Sequence, residues 1–228
     1  MMYIERQKIM TKNYTVNKVT INKDDSISKK SFWKSANNIE VSQWPWQTPD
    51  MPSPPNVSAK VLYSPSHLYI KFEVEEHFSR AIHTENQTQV CEDSCVEFFV
   101  APNEKGYFNF EVNCIGSIHL RHGKGRDDRV KIADEDLNKI EKYTSLPTGE
   151  AIDEPVSVPS YTVAYAIPFS IFKKYAEAKV PKSGMLWRAN FYKCGDLTPE
   201  PCWGIWNSVV TDNPDFHRPE FFGNIIFE

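Results

Sequence analysis

A surplus of basic charge is missing from this chain. Its 228 residues carry 26 Lys and Arg against 30 Asp and Glu, for a formal net charge of −4, so the electrostatic footprint of a nucleic-acid binder is absent. Long apolar runs are missing too. No window reaches the roughly 18 consecutive apolar residues that a membrane helix needs, and the amino-terminal MMYIERQKIMTKNYTV has no apolar stretch of a secretory signal. Neither nucleic acid nor a membrane is therefore an expected partner. The expected setting is cytoplasmic, or periplasmic or secreted where a leader precedes this sequence. Cysteine is scarce: five residues, an odd count, rule out a disulfide-stapled small scaffold and read as free buried thiols. Catalytic signatures are missing as well. GxSxG, a P-loop and a GxGxxG following a strand are all absent, and GKGRDD is a charged turn.

What the chain does have is short alternating segments. CVEFFV at Cys95–Val100 and YFNFEVN at Tyr107–Asn113 sort into two faces. Val96, Phe98, Val100, Phe108, Phe110 and Val112 fall on one, and Cys95, Glu97, Phe99, Asn109, Glu111 and Asn113 on the other. A hairpin closing near Glu104 places Glu97 directly opposite Glu111. Opposed like charges cost stability, so the pair calls for a partner: an Arg or Lys, a metal ion, or the hydroxyls of a ligand. Thr15–Ile21, the two strands within VSAKVLYSPSHLYIKFEVEE, GSIHLRHG, SYTVAYAIPF, WRANFYKC and EFFGNIIFE read as further strands. SIFKKYAEA and the region of Asp134–Tyr143 read as short helices. QWPWQTPDMPSPPN holds five of the 16 prolines and reads as a loop wrapped over the surface. Residues 1–14 read as a tail without periodicity, and residues 15–228 as one domain. Many short strands with one or two short helices imply an all-β sandwich of two antiparallel sheets.

Several candidates for chemistry follow. Two directly opposed acids have Cβ atoms only about 5 Å apart with side chains rising the same way, which suits gripping hydroxyls better than flanking a scissile bond. His119 and His122 have metal-ligand spacing, yet three residues apart on a strand they point to opposite faces. Asp24, Asp25, Asp127 and Asp128 lie in turns whose carboxylates suit a hard cation such as calcium. Lys71, Glu73, Glu97, Asn109, Glu111, Asn113, Arg188 and Asn190 all fall on outward phases, with Arg188 placed to neutralise Glu97 or Glu111. Six Trp, ten Tyr and 14 Phe are more flat surface than a core requires. Among turn residues in CWGIWNSVVTDNPDFHRPEFFG, Trp203, Trp206, His217 and Arg218 read as loop groups. Aromatic faces beside amides and carboxylates are what a sugar needs, since its CH groups stack while its hydroxyls take directional hydrogen bonds.

The succession LYIKFEVEE, EDSCVEFFV, YFNFEVNCIG, AIPF, WRANFYKCGD and PDFHRPEFFG resembles the stand-alone bacterial relatives of family 9 carbohydrate-binding modules, from about Val16 to the end. The resemblance implies a β-sandwich, a non-catalytic glycan-binding role, a link with bacterial polysaccharide use and, from the xylanase-linked modules, structural calcium. It also implies a sugar clamp of two tryptophans, whose positions correspond here to Cys91 and Lys193. Both rings are missing. Glu97 and Asn190 match the family's polar contacts, while an expected Arg is Glu111. The expected ligand is thus an oligo- or polysaccharide, held by Glu97, Glu111, Arg188, Asn190, Trp206 and His217. Two other readings stand beside it. One is a structural or protein-interaction sandwich that has lost the clamp, and the other an enzyme acting on a sugar with Glu97 and Glu111.

Overall fold

Alternation of apolar and polar residues turns most of this chain into strands. The structure, a computed structural model, describes residues 10–156 and 160–228. Its first eight strands are β1 (Asn13–Lys18), β2 (Ile39–Glu40), β3 (Asn56–Tyr63), β4 (His67–Glu75), β5 (Ser79–Ala81), β6 (Cys95–Asn103), β7 (Gly106–Asn113) and β8 (Ile118–Gly123). Then come β9 (Val130–Lys131), β10 (Glu141–Thr144), β11 (Ile152–Val156), β12 (Tyr161–Pro168), β13 (Leu186–Cys194), β14 (Trp203–Ile205) and β15 (Gly223–Phe227). Two helices, α1 (Asp134–Leu137) and α2 (Phe169–Ala176), complete the regular elements, with 3-10 turns at Lys30–Trp33, Val90–Glu92 and Pro219–Phe221.

The expected sandwich is present, with one change of plan. One layer runs β15-β13-β6-β7-β8-β9 and the other β10-β12-β4-β3, with antiparallel neighbours within each. The layers are continuous through β1. Residues Asn13–Val16 pair parallel with β15, and Asn17 and Lys18 pair parallel with β3. The sheet is thus one curled ribbon folded on itself, and β5 and β11 form a small second sheet. Of the expected tail, residues 1–9 lie outside the described residues, while Asn13 and Tyr14 already belong to β1.

The core lies between the layers. Val96, Phe98, Val100, Phe108, Phe110 and Val112, the set sorted by alternation, are fully buried against Ile70, Phe72, Val74, Val163 and Tyr165 of the facing layer. Phe98 lies 5.0 Å from Phe191, and α2 closes one end, with Phe172 at 5.0 Å from Phe108 and 5.1 Å from Trp187. The outer faces are covered too. Ile27, Phe32 and Trp33 pack on Leu62 and Tyr69. The terminal segment brings Ile205, Val209, Phe216 and Phe222 onto Phe99, Tyr107 and Tyr192. Most of the chain's rings therefore serve packing, contrary to the expectation of surplus exposed surface. The proline-rich loop holds this cover down: Trp46 Nε1 donates to the Thr211 carbonyl at 3.0 Å, and Gln43 Nε2 to the Trp206 carbonyl at 2.8 Å.

Candidate functional site

The hairpin register holds as the alternation requires. Glu97 pairs with Glu111, Phe98 with Phe110 and Val100 with Phe108, with the reversal at Glu104 and Lys105. Both acids rise on the outer face, where they line a cleft of about 140 Å³. Cys91, Cys194, Asp196, Arg126, Trp203, Phe216 and His217 complete most of its wall. The connection between β13 and β14 supplies two of these groups. Trp203 stands directly across from Cys194, itself across from Cys95, so the Trp203 ring is on the same face as Glu97. Its Nε1 donates to Asp196 Oδ1 at 2.8 Å, which fixes the partly buried ring beside the acids.

Glu97 is 3% exposed and Glu111 7%. Glu97 accepts the Cys194 thiol at 3.1 Å, and Glu111 accepts Asn109 Nδ2 at 2.6 Å. Burial raises the Glu97 carboxyl well above the ordinary range, and the neighbouring Glu111 charge adds to this. Burial also raises Glu111, while the Asn109 amide and the fields of Arg129 and Arg126 pull it partly back. Asp196 is raised by burial as well. His217 is held neutral, its value pushed down to about 2 by burial and then by Arg129 and Arg126. It bonds Tyr107 Oη through Nδ1 at 2.8 Å, against the Phe99 ring.

Of the expected site residues, Glu97, Glu111 and His217 meet in this cleft, and three do not. Trp206 is 5% exposed and belongs to the main core, edge-on to Phe191 at 5.5 Å. Its ring packs so closely on Gly223 that a Cβ there would lie 2.5 Å from it, which leaves no room for a sugar. Asn190 is fully buried and ties down the terminal segment, donating to the Asn207 carbonyl at 3.0 Å and accepting the Asn207 amide at 2.8 Å. Arg188 pairs with Ala101 of β6, four residues along from Glu97, or about 13 Å at the strand rise. Its guanidinium caps the Pro219–Phe221 turn by donating to the Glu220 and Phe222 carbonyls, both at 3.0 Å. It neutralises neither acid.

The remaining polar candidates scatter. Lys71 and Glu73 pair with each other at 2.7 Å on β4, in the opposite layer. Asn113 is a scaffold residue bonded to the His83 carbonyl and to Asp93. Arg218 pairs with Glu220 at 2.7 Å. His119 stands beside Glu111 on the outer face while His122 packs on Phe108, so the two diverge as strand geometry requires. All five cysteines are free. Asp24, Asp25, Asp127 and Asp128 lie in exposed turns, where Asp25 and Asp128 already accept backbone amides of their own turns. These turns gather no set of carboxylates that would hold calcium. The one group of three or more potential ligands among the described residues is Cys95, Glu97 and Cys194.

The two positions where resemblance placed a clamp differ in phase. Cys91 does line the cleft. Lys193, however, stands opposite Val96 and so points between the layers, where it pairs with Glu76 at 2.8 Å. A ring at that position would enter the core. The ring that reaches the cleft is Trp203, which reads in the sequence only as one of several loop aromatics because β14 is three residues long. Asp196, Arg126 and Phe216 carry no local signal, because loops bring them from distant parts of the chain.

With this geometry in place, the comparisons with known proteins agree. The profile of carbohydrate-binding family 9 matches residues 27–227. The chain belongs to that family. It is similar to a Bacteroides uniformis ATCC 8492 protein provisionally designated carbohydrate-binding, at 29% identity over 96% of this chain and 100% of that one, with a TM-score of 0.86. Two structures of a family 9 carbohydrate-binding module from Caldicellulosiruptor kristjanssonii share the fold at 14% identity. One, in complex with glucose, has a TM-score of 0.63 and covers 95% of this chain and 96% of that one. The other, in complex with cellotriose, has a TM-score of 0.62 and covers 95% and 94%. A comparison with curated proteins found no match.

Proposed function

We propose that this protein binds carbohydrate without transforming it, taking one sugar unit of a glycan into the cleft above Glu97 and Glu111, in the service of polysaccharide use. The observation that carries the reading is the placing of the fixed, partly buried Trp203 ring beside two buried acids that each accept one hydrogen bond. A ring face and free acceptor positions together match the CH and OH surfaces of a pyranose. The small cleft, below the roughly 300 Å³ of drug-sized pockets, favours a single unit or a chain end. Family membership supports the same reading, as do glucose and cellotriose in the Caldicellulosiruptor complexes. Catalysis is disfavoured by geometry, since acids on adjacent strands rise side by side instead of straddling a bond.

A glycan array on the purified chain tests this, with Trp203→Ala and Trp206→Ala run in parallel. Trp203→Ala should lose glycan binding while its melting temperature stays within a few degrees. Trp206→Ala should lose about 3 to 5 kcal/mol of stability, as truncated core aromatics do. Glycan binding that survives Trp203→Ala unchanged would move the site elsewhere.

A further inference from the structure

The floor of the cleft holds a second constellation. Cys95 of β6 and Cys194 of β13 are directly opposed, and Glu97 follows Cys95 by two residues on the same face. The two sulfurs and a Glu97 oxygen all lie within 4.8 Å of one another, and the three residues are 0, 1 and 3% exposed. A tetrahedral zinc ion with Zn–S bonds of about 2.3 Å sets its sulfurs about 3.8 Å apart, so the donors stand within a small side-chain adjustment of that spacing. The Cys194 thiol already points at Glu97, at 3.1 Å. These are three donors brought together on a rigid ladder, with no disulfide between the thiols.

Glu97 and Glu111 enter no ion pair among the described residues, and neither does Asp196. Arg126 binds Asp215 at 2.7 Å, and Arg129 donates Nε to the Arg126 carbonyl at 3.0 Å, keeps a buried Nη1 without a partner, and bonds neither acid. Buried like charges without a counter-ion are costly.

We propose that Cys95, Cys194 and Glu97 form a zinc site at the base of the cleft. Two thiols select a soft or borderline divalent cation over calcium or magnesium. Three protein ligands leave a fourth position open, and it faces the cleft because Glu97 and Cys194 line its wall. On binding, each thiol, and the Glu97 carboxyl where it is protonated, releases its proton to solvent, two S–Zn bonds and one O–Zn bond form as waters leave the hydrated ion, and no oxidation state changes. The ion supplies the positive charge that the opposed acids lack. The site goes beyond carbohydrate binding and does not depend on it.

The test uses the full chain, reduced and stripped of metal, with zinc and cobalt as the only probes. Cobalt(II) should give a thiolate-to-metal absorption band that one equivalent of zinc abolishes and excess calcium does not. Zinc competition against a chromophoric chelator should give one site per chain. The Cys95→Ser/Cys194→Ser variant should lose the band and bind zinc about a hundredfold or more weaker, beyond the roughly 10- to 100-fold loss typical of an outer-shell partner alone. Cys114→Ser, in the main core, should keep both. Absence of the band in the unmodified chain would overturn the proposal whether or not the double variant folds. So would a band that persists in that variant.

Discussion

Glu97 and Glu111 face each other with no cation among the described residues bonded to either, and their electrostatics have a measurable sign. Both carboxyls are raised above their unfolded values, so the folded chain holds their protons to higher pH than the unfolded chain does. Their contribution to stability is full below the unfolded carboxylate value, near pH 4, and is lost as pH rises through the raised folded values. Metal-free Glu111→Gln removes one of the two charges and keeps a group of the same shape beside Asn109. It should be more stable than the parent near neutrality by about 1 kcal/mol, the scale of an unfavourable cross-strand pair, and equal to it near pH 4. Urea unfolding across that pH range measures both points. A variant that is less stable at neutrality would mean that Arg126 and Arg129 already compensate the pair. Period-two alternation exposed these two acids in the sequence because a hairpin needs only local information. Trp206 reads as a loop group although it belongs to the core, because it sits among turn residues, where no period separates a ring folded inward from one left outside.

At the scale of elements, length decided what could be read. The long strands β3, β4, β6, β7, β12 and β13 repeat their alternation often enough to declare a face, and helix α2 follows the SIFKKYAEA segment. Strands of two or three residues, such as β2, β5, β9 and β14, carry too little pattern. The helix expected across Asp134–Tyr143 ends at Leu137, and Glu141–Thr144 joins the edge of β12 instead. A free sheet edge there outweighs helical propensity. The β6–β7 hairpin depends on Gly106, whose φ of +132° is open to glycine and strained for other residues. A Cβ there would also clash with the Gly123 carbonyl oxygen on the neighbouring β8. Gly106→Ala should therefore destabilise the fold by more than about 1 kcal/mol, seen as a lower melting temperature. Glycan affinity should fall with it, because this turn sets the register of Glu97 against Glu111. Unaltered stability would show that the turn relaxes freely and that register is fixed elsewhere.

The whole molecule explains why the sandwich could be read and the cleft only in part. A core needs apolar faces, which each strand announces by itself. The cleft needs the terminal segment folded back on β13, the proline-rich loop clamping it, and Arg126 arriving from beyond β8, none of which is local. The same scale accounts for Lys193, fully buried between the layers and bonded to Glu76 at 2.8 Å and to the Cys194 carbonyl at 2.8 Å. Glu76 follows β4 in one layer and Lys193 lies on β13 in the other, so this ion pair ties the two layers of the sandwich across the interior. Removing one partner leaves the other charge buried and alone, whereas replacing both removes the desolvation cost together with the attraction. Lys193→Met should cost about 3 to 5 kcal/mol and Glu76→Gln a comparable amount, while the double variant should lose far less than the sum. Chemical unfolding of the four proteins gives the coupling directly. If the single losses simply add, the pair is two independent packing contacts, and the tie between the layers rests on β1 and the apolar core alone.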